Sequence, residues 1–262
     1  MNDTIVKVLA FQTRDAVRSR WLLVYTAFFL AATEGTLRFA GGERAILTLT
    51  SVTIFVVPLV TLVLGTVYLY GAREFIELLL AQPVSRGKLF AGLYVGLTLP
   101  LAAAFTIGVA LPLLAHSGGE PTLGGAVVSL IGAGIALTAT FTGVAFVVAL
   151  RAEDRLRGLG VAIGVWLLFS LVYDGGVLAV VAAFGDYPLE RALVVLTFAN
   201  PIDLARVLLL QQLDVSALMG YTGAVFQHLF GGAGTAAAWG ALLCWVCAPV
   251  ALGARAFRRK DF

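Results

Sequence analysis

Long uncharged stretches separated by short charged links set the pattern of this chain. Ile46–Tyr70 carries no charge, and Leu89–Ala115 carries none either. At about 1.5 Å per residue, each is long enough to cross a bilayer hydrocarbon core of about 30 Å. The pattern recurs and predicts six spans, at about 21–40, 46–70, 89–115, 123–150, 159–183 and 232–253. Short polar links join most of them: GGER at 41–44, HSGGEP at 116–121 and RAEDRLR at 151–157. Ahead of the first span, residues 3–20 read as a helix lying on the membrane surface. Val6, Leu9, Thr13, Ala16 and Val17 fall on one side of it, and Lys7, Arg14 and Arg18 on another. No internal repeat and no low-complexity linker is evident, so residues 1–262 read as one transmembrane domain. The expected fold class is an all-α polytopic membrane protein.

Two segments depart from this pattern. The first is the joint at 71–88, between the second and third spans. Arg73 and Glu77 lie one helical turn apart, as do Glu74 and Glu77, while Phe75, Leu78 and Leu79 share a face. Pro83 then stops the short helix, and Arg86 and Lys88 follow it. An amphipathic helix held between two spans is suited to pass a push from a soluble partner into the membrane. An ordinary interfacial loop is the plainer alternative. The second segment, 184–231, is too long for a link and carries Asp186, Glu190, Arg191, Asp203, Arg206, Asp214 and His228 among apolar residues. Asn200-Pro201-Ile202-Asp203 reads as a helix start, with Asn as cap, Pro in the first turn and Asp near the positive end of the helix dipole. Leu204, Val207 and Leu208 then form one face, and a second apolar piece, Val215–Phe230, is interrupted by Gly220 and Gly223. Both pieces are expected to lie at or dip into the outer interface. A crossing would make seven spans and leave the basic tail outside.

Composition agrees with lipid as the solvent. Hydrophobic residues make up 60 % of the chain and charged residues 13 %, and the mean hydropathy is +0.96. A soluble core of this size could not hide so much apolar surface. The net charge of +3 is not a nucleic-acid signature, because the basic residues sit at span ends rather than on one face. Their distribution does orient the chain. Lys7, Arg14, Arg18 and Arg20 precede the first span. Arg73, Arg86 and Lys88 lie in the joint, Arg151, Arg155 and Arg157 in the second link, and Arg255, Arg258, Arg259 and Lys260 in the tail. Only Arg38, Arg44, Arg191 and Arg206 fall on the opposite side. The positive-inside bias therefore places both termini and the joint in the cytoplasm. No cleavable signal peptide is expected, since the first twenty residues lack a central apolar stretch.

Residues that could carry chemistry are few. His116 and His228 both fall in outer segments, and no Walker-type loop, HExxH pair or nucleophile elbow occurs. Cys244 and Cys247 have C-x-x-C spacing inside an apolar run, where free cysteines usually act as small hydrophobes. With only Met1 and Met219 besides, no ladder of soft ligands for copper crosses the membrane, and no metal site is expected. Asp174, ahead of Gly175 and Gly176, reads either as a polar point at a kink facing a pathway or as a wet end of the fifth span. Glu34 and Arg38, one turn apart, neutralise each other.

At this point the chain resembles a known family. Leu79-Leu80-Ala81-Gln82-Pro83-Val84-Ser85-Arg86 is similar to the first coupling segment of ABC-2-type transporter permeases, and Glu77 stands where that segment is often acidic. Glu74-Phe75 replaces the Gly-Thr usual there. The layout agrees too, from the basic surface helix to the long outer segment and the closing FRRKDF. Arg18-Ser19-Arg20-Trp21-Leu22-Leu23 and Asn200-Pro201-Ile202-Asp203-Leu204-Ala205-Arg206 resemble the NosY type, permeases linked to nitrous-oxide reductase maturation.

The resemblance implies a chain that is not itself an enzyme and binds no cofactor. It would work as a homodimer in the inner membrane on a separate ABC ATPase subunit, which holds the ATP and Mg. Arg73, Glu74, Glu77 and Arg86 would meet the ATPase, with Phe75 and Leu79 seating the helix and Pro83 ending it. Arg151, Glu153, Asp154 and Arg155 would form a second cytoplasmic contact, and a periplasmic partner would dock on 184–231 through Asn200, Pro201, Asp203 and Arg206. The competing functions are export of a drug, lipid or polysaccharide, an intramembrane enzyme, and a scaffold.

Overall fold

The computed structural model describes residues 20–40, 42–116, 124–184, 189–211 and 220–260, with backbone alone at 42–43, 190–191 and 220–233. The surface helix expected at 3–20 lies outside the described residues, Arg20 excepted, as does most of the HSGGEP link.

Among the described residues the chain is all helix. In order it forms α1 (Arg20–Ala40), α2 (Gly42–Gly71), the short α3 (Arg73–Leu80), α4 (Arg86–His116) and α5 (Gly124–Arg151). Then follow α6 (Arg155–Leu167), a π-helical turn at Leu168–Val172, α7 (Tyr173–Ala183), α8 (Glu190–Ala199), α9 (Pro201–Gln211) and α10 (Gly220–Arg259). Helix is what a chain without water around it must form, because only helix satisfies every backbone group within the segment.

Five stretches are long and apolar enough to cross a membrane: Arg44–Gly71, Arg86–His116, Gly124–Arg151, Arg155–Ala183 and Gly234–Arg259. Helix α1 carries Glu34 and Arg38 and is not among them. It packs along α4 through Tyr25, Phe29 and Thr33 and leaves Trp21, Leu23, Val24 and Phe28 exposed, as a lipid-facing helix does. Its Glu34–Arg38 pair closes at 2.6 Å, with His116 of α4 only 3.6 Å from the same carboxylate.

Helix α5 is the hub, packed against α2, α4, α6, α9 and α10. Its apolar stretch is 72 % buried, against 6 % for Arg155–Ala183. Small residues make that close packing possible. A Cβ on Gly65 of α2 would stand 2.7 Å from the Ala145 Cβ of α5, and one on Gly108 of α4 would stand 2.6 Å from the Phe29 Cβ of α1. Phe90, Tyr94, Phe146 and Phe257 fill the space between α4, α5 and α10 with edge-to-face and offset ring contacts.

Two expectations change. The piece Val215–Phe230 is not a separate interfacial segment: from Gly220 onward it runs unbroken into the last helix, through Gly223. At 40 residues α10 is about 60 Å long, twice the hydrocarbon core, so its first turns stand beyond the span. The fifth span runs to Ala183 as expected, so Asp174 lies within it rather than at its wet end, and its irregularity is the π turn before Asp174 rather than a kink at Gly175. Helices α8 and α9 meet at 108°, which makes this pair either a broken span or a re-entrant hairpin by geometry.

Candidate functional site: the elbow at the basic end

The elbow forms because α3 has one apolar face and an abrupt stop. Ile76 is fully buried, with Ala72 one turn before it, so the seated face is Ala72, Ile76 and Leu79. Leu78, expected on that face, is 69 % exposed, and Glu74 and Glu77 are exposed beside it. Phe75 is half-buried. Turn bonds from the Ala81 amide to the Glu77 carbonyl (3.2 Å) and from the Gln82 amide to the Leu79 carbonyl (3.1 Å) close the helix. Pro83 has no N–H to extend it, and α4 starts at Arg86.

Two segments distant in sequence hold the elbow. Arg73 donates through Nη1 to the Glu153 carbonyl (3.2 Å) and through Nη2 to the Ala152 carbonyl (3.4 Å), with its guanidinium 4.6 Å from the Tyr70 ring centre. The Tyr70 hydroxyl donates to the same Ala152 carbonyl at 3.0 Å. Gly158 leaves room for that ring, since a Cβ there would lie 2.5 Å from the hydroxyl oxygen. Arg86 donates to the Arg258 and Lys260 carbonyls at 3.0 and 2.8 Å, and Lys260 Nζ donates to the Leu150 carbonyl at 2.6 Å. Burial, and then the neighbouring Arg73, hold the Lys260 ammonium below its ordinary pKa, while Glu153 opposes them. Asp154 caps α6, accepting from the Arg157 amide at 2.7 Å, and pairs with the Arg157 guanidinium at 3.2 Å.

The residues expected to meet a partner thus divide. Arg73 and Arg86 are engaged inward, by the second link and the tail. Glu74, Glu77 and Leu78 are free to meet something outside. Arg151 and Arg155 are exposed, as is Glu153. Sequence reasoning missed Ile76, Tyr70 and Lys260. Ile76 was recoverable from its i, i+4 spacing to Ala72, whereas the other two act across more than eighty residues and leave no local sign.

A second polar cluster lies toward the opposite end and joins Asp174 to the Asn200–Arg206 motif. Arg206 Nη1 donates to Asp174 Oδ2 at 2.9 Å and to Asp203 Oδ1 at 3.1 Å. Asn200 caps α9, accepting the Ile202 amide at 2.9 Å, and its Nδ2 donates to the Phe169 carbonyl (2.8 Å) and Asp203 Oδ2 (3.0 Å). Phe169 stands in the π turn. The Tyr173 hydroxyl adds a bond to the Leu196 carbonyl at 2.6 Å. A cavity of about 250 Å³ beside these groups is lined by Asp174, Asp203, Arg206 and Thr197 among apolar residues. Asn200 and Pro201 are buried, so the motif faces the fifth span and not an outer surface. Among the described residues no group of three His, Cys, Asp or Glu could hold a metal, and Cys244 and Cys247 are exposed on α10.

A multi-span helical bundle with a short amphipathic elbow between its second and third long helices has the form of an ABC-2 permease. The family model described as "ABC-2 family transporter protein" matches residues 31–262, and the chain belongs to that family. The probable ABC transporter permease protein NosY of Pseudomonas aeruginosa is 30 % identical over 263 residues, covering 94 % of each chain. The protein of the same name from Stutzerimonas stutzeri is 31 % identical over 267 residues, covering 94 % of this chain and 95 % of its own.

Proposed function

We propose that this permease receives the closing motion of a separate ABC ATPase subunit at α3 and carries it into the membrane. One observation supports this above the others. The outward face of α3 offers Glu74, Glu77 and Leu78, while Arg73 at its start is tied to the second link and Arg86, just past its stop at the head of α4, is tied to the end of α10. A push on α3 must therefore move α2, α4 and α10 together. Exposed carboxylates around an apolar centre suit a partner surface with basic residues around an apolar socket.

Two copies of the chain form the working unit. The fifth span is the least buried of the five, and Gly160 and Gly164 on its exposed side have open space where a Cβ would stand. Such a G-x-x-x-G face suits close approach of a second helix. The NosY-named relatives support the subfamily, and with it the reading that the motion serves nitrous-oxide reductase maturation through an outer partner at 184–231. The ATP and Mg belong to the ATPase.

Reversing one charge tests the docking reading. In Glu77→Arg the permease should reach the membrane at its usual level, because the residue is exposed. Its hold on the ATPase subunit should fall about tenfold, about 1.4 kcal/mol, in co-purification titrations. Unchanged retention together with unchanged coupled ATP hydrolysis would remove α3 as the docking element.

A further inference from the structure

Between α6 and α10 runs an apolar groove that touches the anchors of the elbow only at Ala152. Its volume is about 540 Å³, within the range of about 300–1,000 Å³ that holds small hydrophobic ligands. Val144 and Val148 of α5 floor it, Val161 and Val165 form one wall, and Ala248 and Leu252 form the other. Its inner end closes where Phe169 meets Trp245 edge to face, with ring centres 5.8 Å apart. Its open end lies at the basic end, where Arg151 lines it.

The charges at that mouth are what distinguish it from ordinary lipid-facing surface. The floor and both walls each have an arginine one helical turn beyond an apolar lining residue. Arg151 follows Val148, Arg255 follows Leu252 and Arg157 precedes Val161. Asp154 takes up Arg157. Arg151 and Arg255 are exposed and form no ion pair among the described residues. An apolar slot with the unpaired Arg151 in its lining, and the exposed Arg255 one turn past Leu252 beside it, matches an acyl chain carrying a phosphate. A net-negative headgroup fits better than a zwitterionic one, whose own cation would lie beside the arginines. A second copy centred here would bring its own Arg151 and Arg255 to the same place and repel.

We propose that this groove binds one anionic phospholipid from the leaflet at the basic end. Its acyl chain lies along Val148 and Val165, and its phosphate rests between Arg151 and Arg255. The site adjoins the face carrying Gly160 and Gly164 but is distinct from it, since Val161 and Val165 are offset by one residue, about 100° around the helix.

The test is native mass spectrometry of the full permease in mild detergent, titrated with dioleoyl phosphatidylglycerol or dioleoyl phosphatidylcholine. One phosphatidylglycerol per chain should be retained, favoured over phosphatidylcholine on the order of fivefold for each guanidinium. Arg151→Gln with Arg255→Gln should abolish the preference while leaving some lipid bound, and Ala248→Trp should expel both lipids by filling the slot. Equal retention of the two lipids by the unaltered chain would overturn the proposal, as would a preference that survives the double glutamine variant. Both arginines are exposed, so that variant decides the matter even where Ala248→Trp fails to fold.

Discussion

Asn200 shows how much one side chain can hold. Its Oδ1 caps α9, and its Nδ2 reaches the Phe169 carbonyl inside the π turn. The residue is fully buried, so removing it strands both partners out of reach of water. Asn200→Ala should cost about 1–3 kcal/mol, read as a lower thermal midpoint of the purified permease. Asn200→Ser keeps a cap oxygen but is too short to reach Phe169, and should recover only the capping part, roughly 1 kcal/mol. Equal stability of the alanine variant and the parent would show that the π turn does not depend on this bond. The cap itself was legible in the sequence because capping is local and Asn-Pro-Ile-Asp spells it. The carbonyl it also serves was not, since no residue type marks where one extra residue enters a helical turn. Asp174 was likewise visible as a charge at membrane depth, but its partner Arg206 comes from another helix and only the fold brings them to 2.9 Å.

At the scale of elements, the fifth span carries the most exposed apolar surface for its length and keeps glycines where larger residues would fit. Gly160 and Gly164 lie on one side, and Leu167 and Leu171 continue that side in the exposed set. In lipid no hydrophobic force drives helices together, so close backbone approach and van der Waals contact must do so, and glycine permits it. Gly160→Leu with Gly164→Leu should leave the single chain folded, since neither position touches another part of it. Self-association should weaken at least about tenfold, close to 1.4 kcal/mol, when two differently tagged copies are co-purified. Unimpaired pairing would move the second copy to another face. The elbow teaches a related lesson at this scale. Its existence followed from a polar joint between two charge-free stretches, but its orientation was misjudged by one position. Grouping Phe75, Leu78 and Leu79 overlooked that Ile76 continues the line from Ala72, and Ile76 is the residue the bundle buries.

For the whole molecule, the anchors of the elbow bear on topology independently of charge counting. Arg73 meets the second link, Arg86 meets the end of α10, and Lys260 meets the end of α5. The joint, the 151–157 link and the tail therefore occupy one end of the bundle, whichever way the bundle is inserted. The spans could be read from sequence because lipid excludes charge and leaves long gaps between charged links. The extension of α10 back to Gly220 could not, because Gly220 and Gly223 resemble breaks in the sequence. The bundle supplies the grouping, and the excess of Lys and Arg at that end supplies the direction, so we predict that this end faces the cytoplasm. Ser85 lies in the joint, and Ser117 is the next residue in sequence after His116, where α4 ends opposite the joint. Single cysteines placed at these two positions, in a chain with Cys244 and Cys247 replaced, separate the orientations. A membrane-impermeant thiol reagent applied to intact cells should label Ser117→Cys and leave Ser85→Cys unlabelled until the membrane is opened. The reverse result would invert the bundle and place α3 out of reach of any ATP-hydrolysing subunit, removing docking at the elbow together with the topology. Labelling at both positions in intact cells would mean that one long helix fails to cross, and would break the single polar end into two.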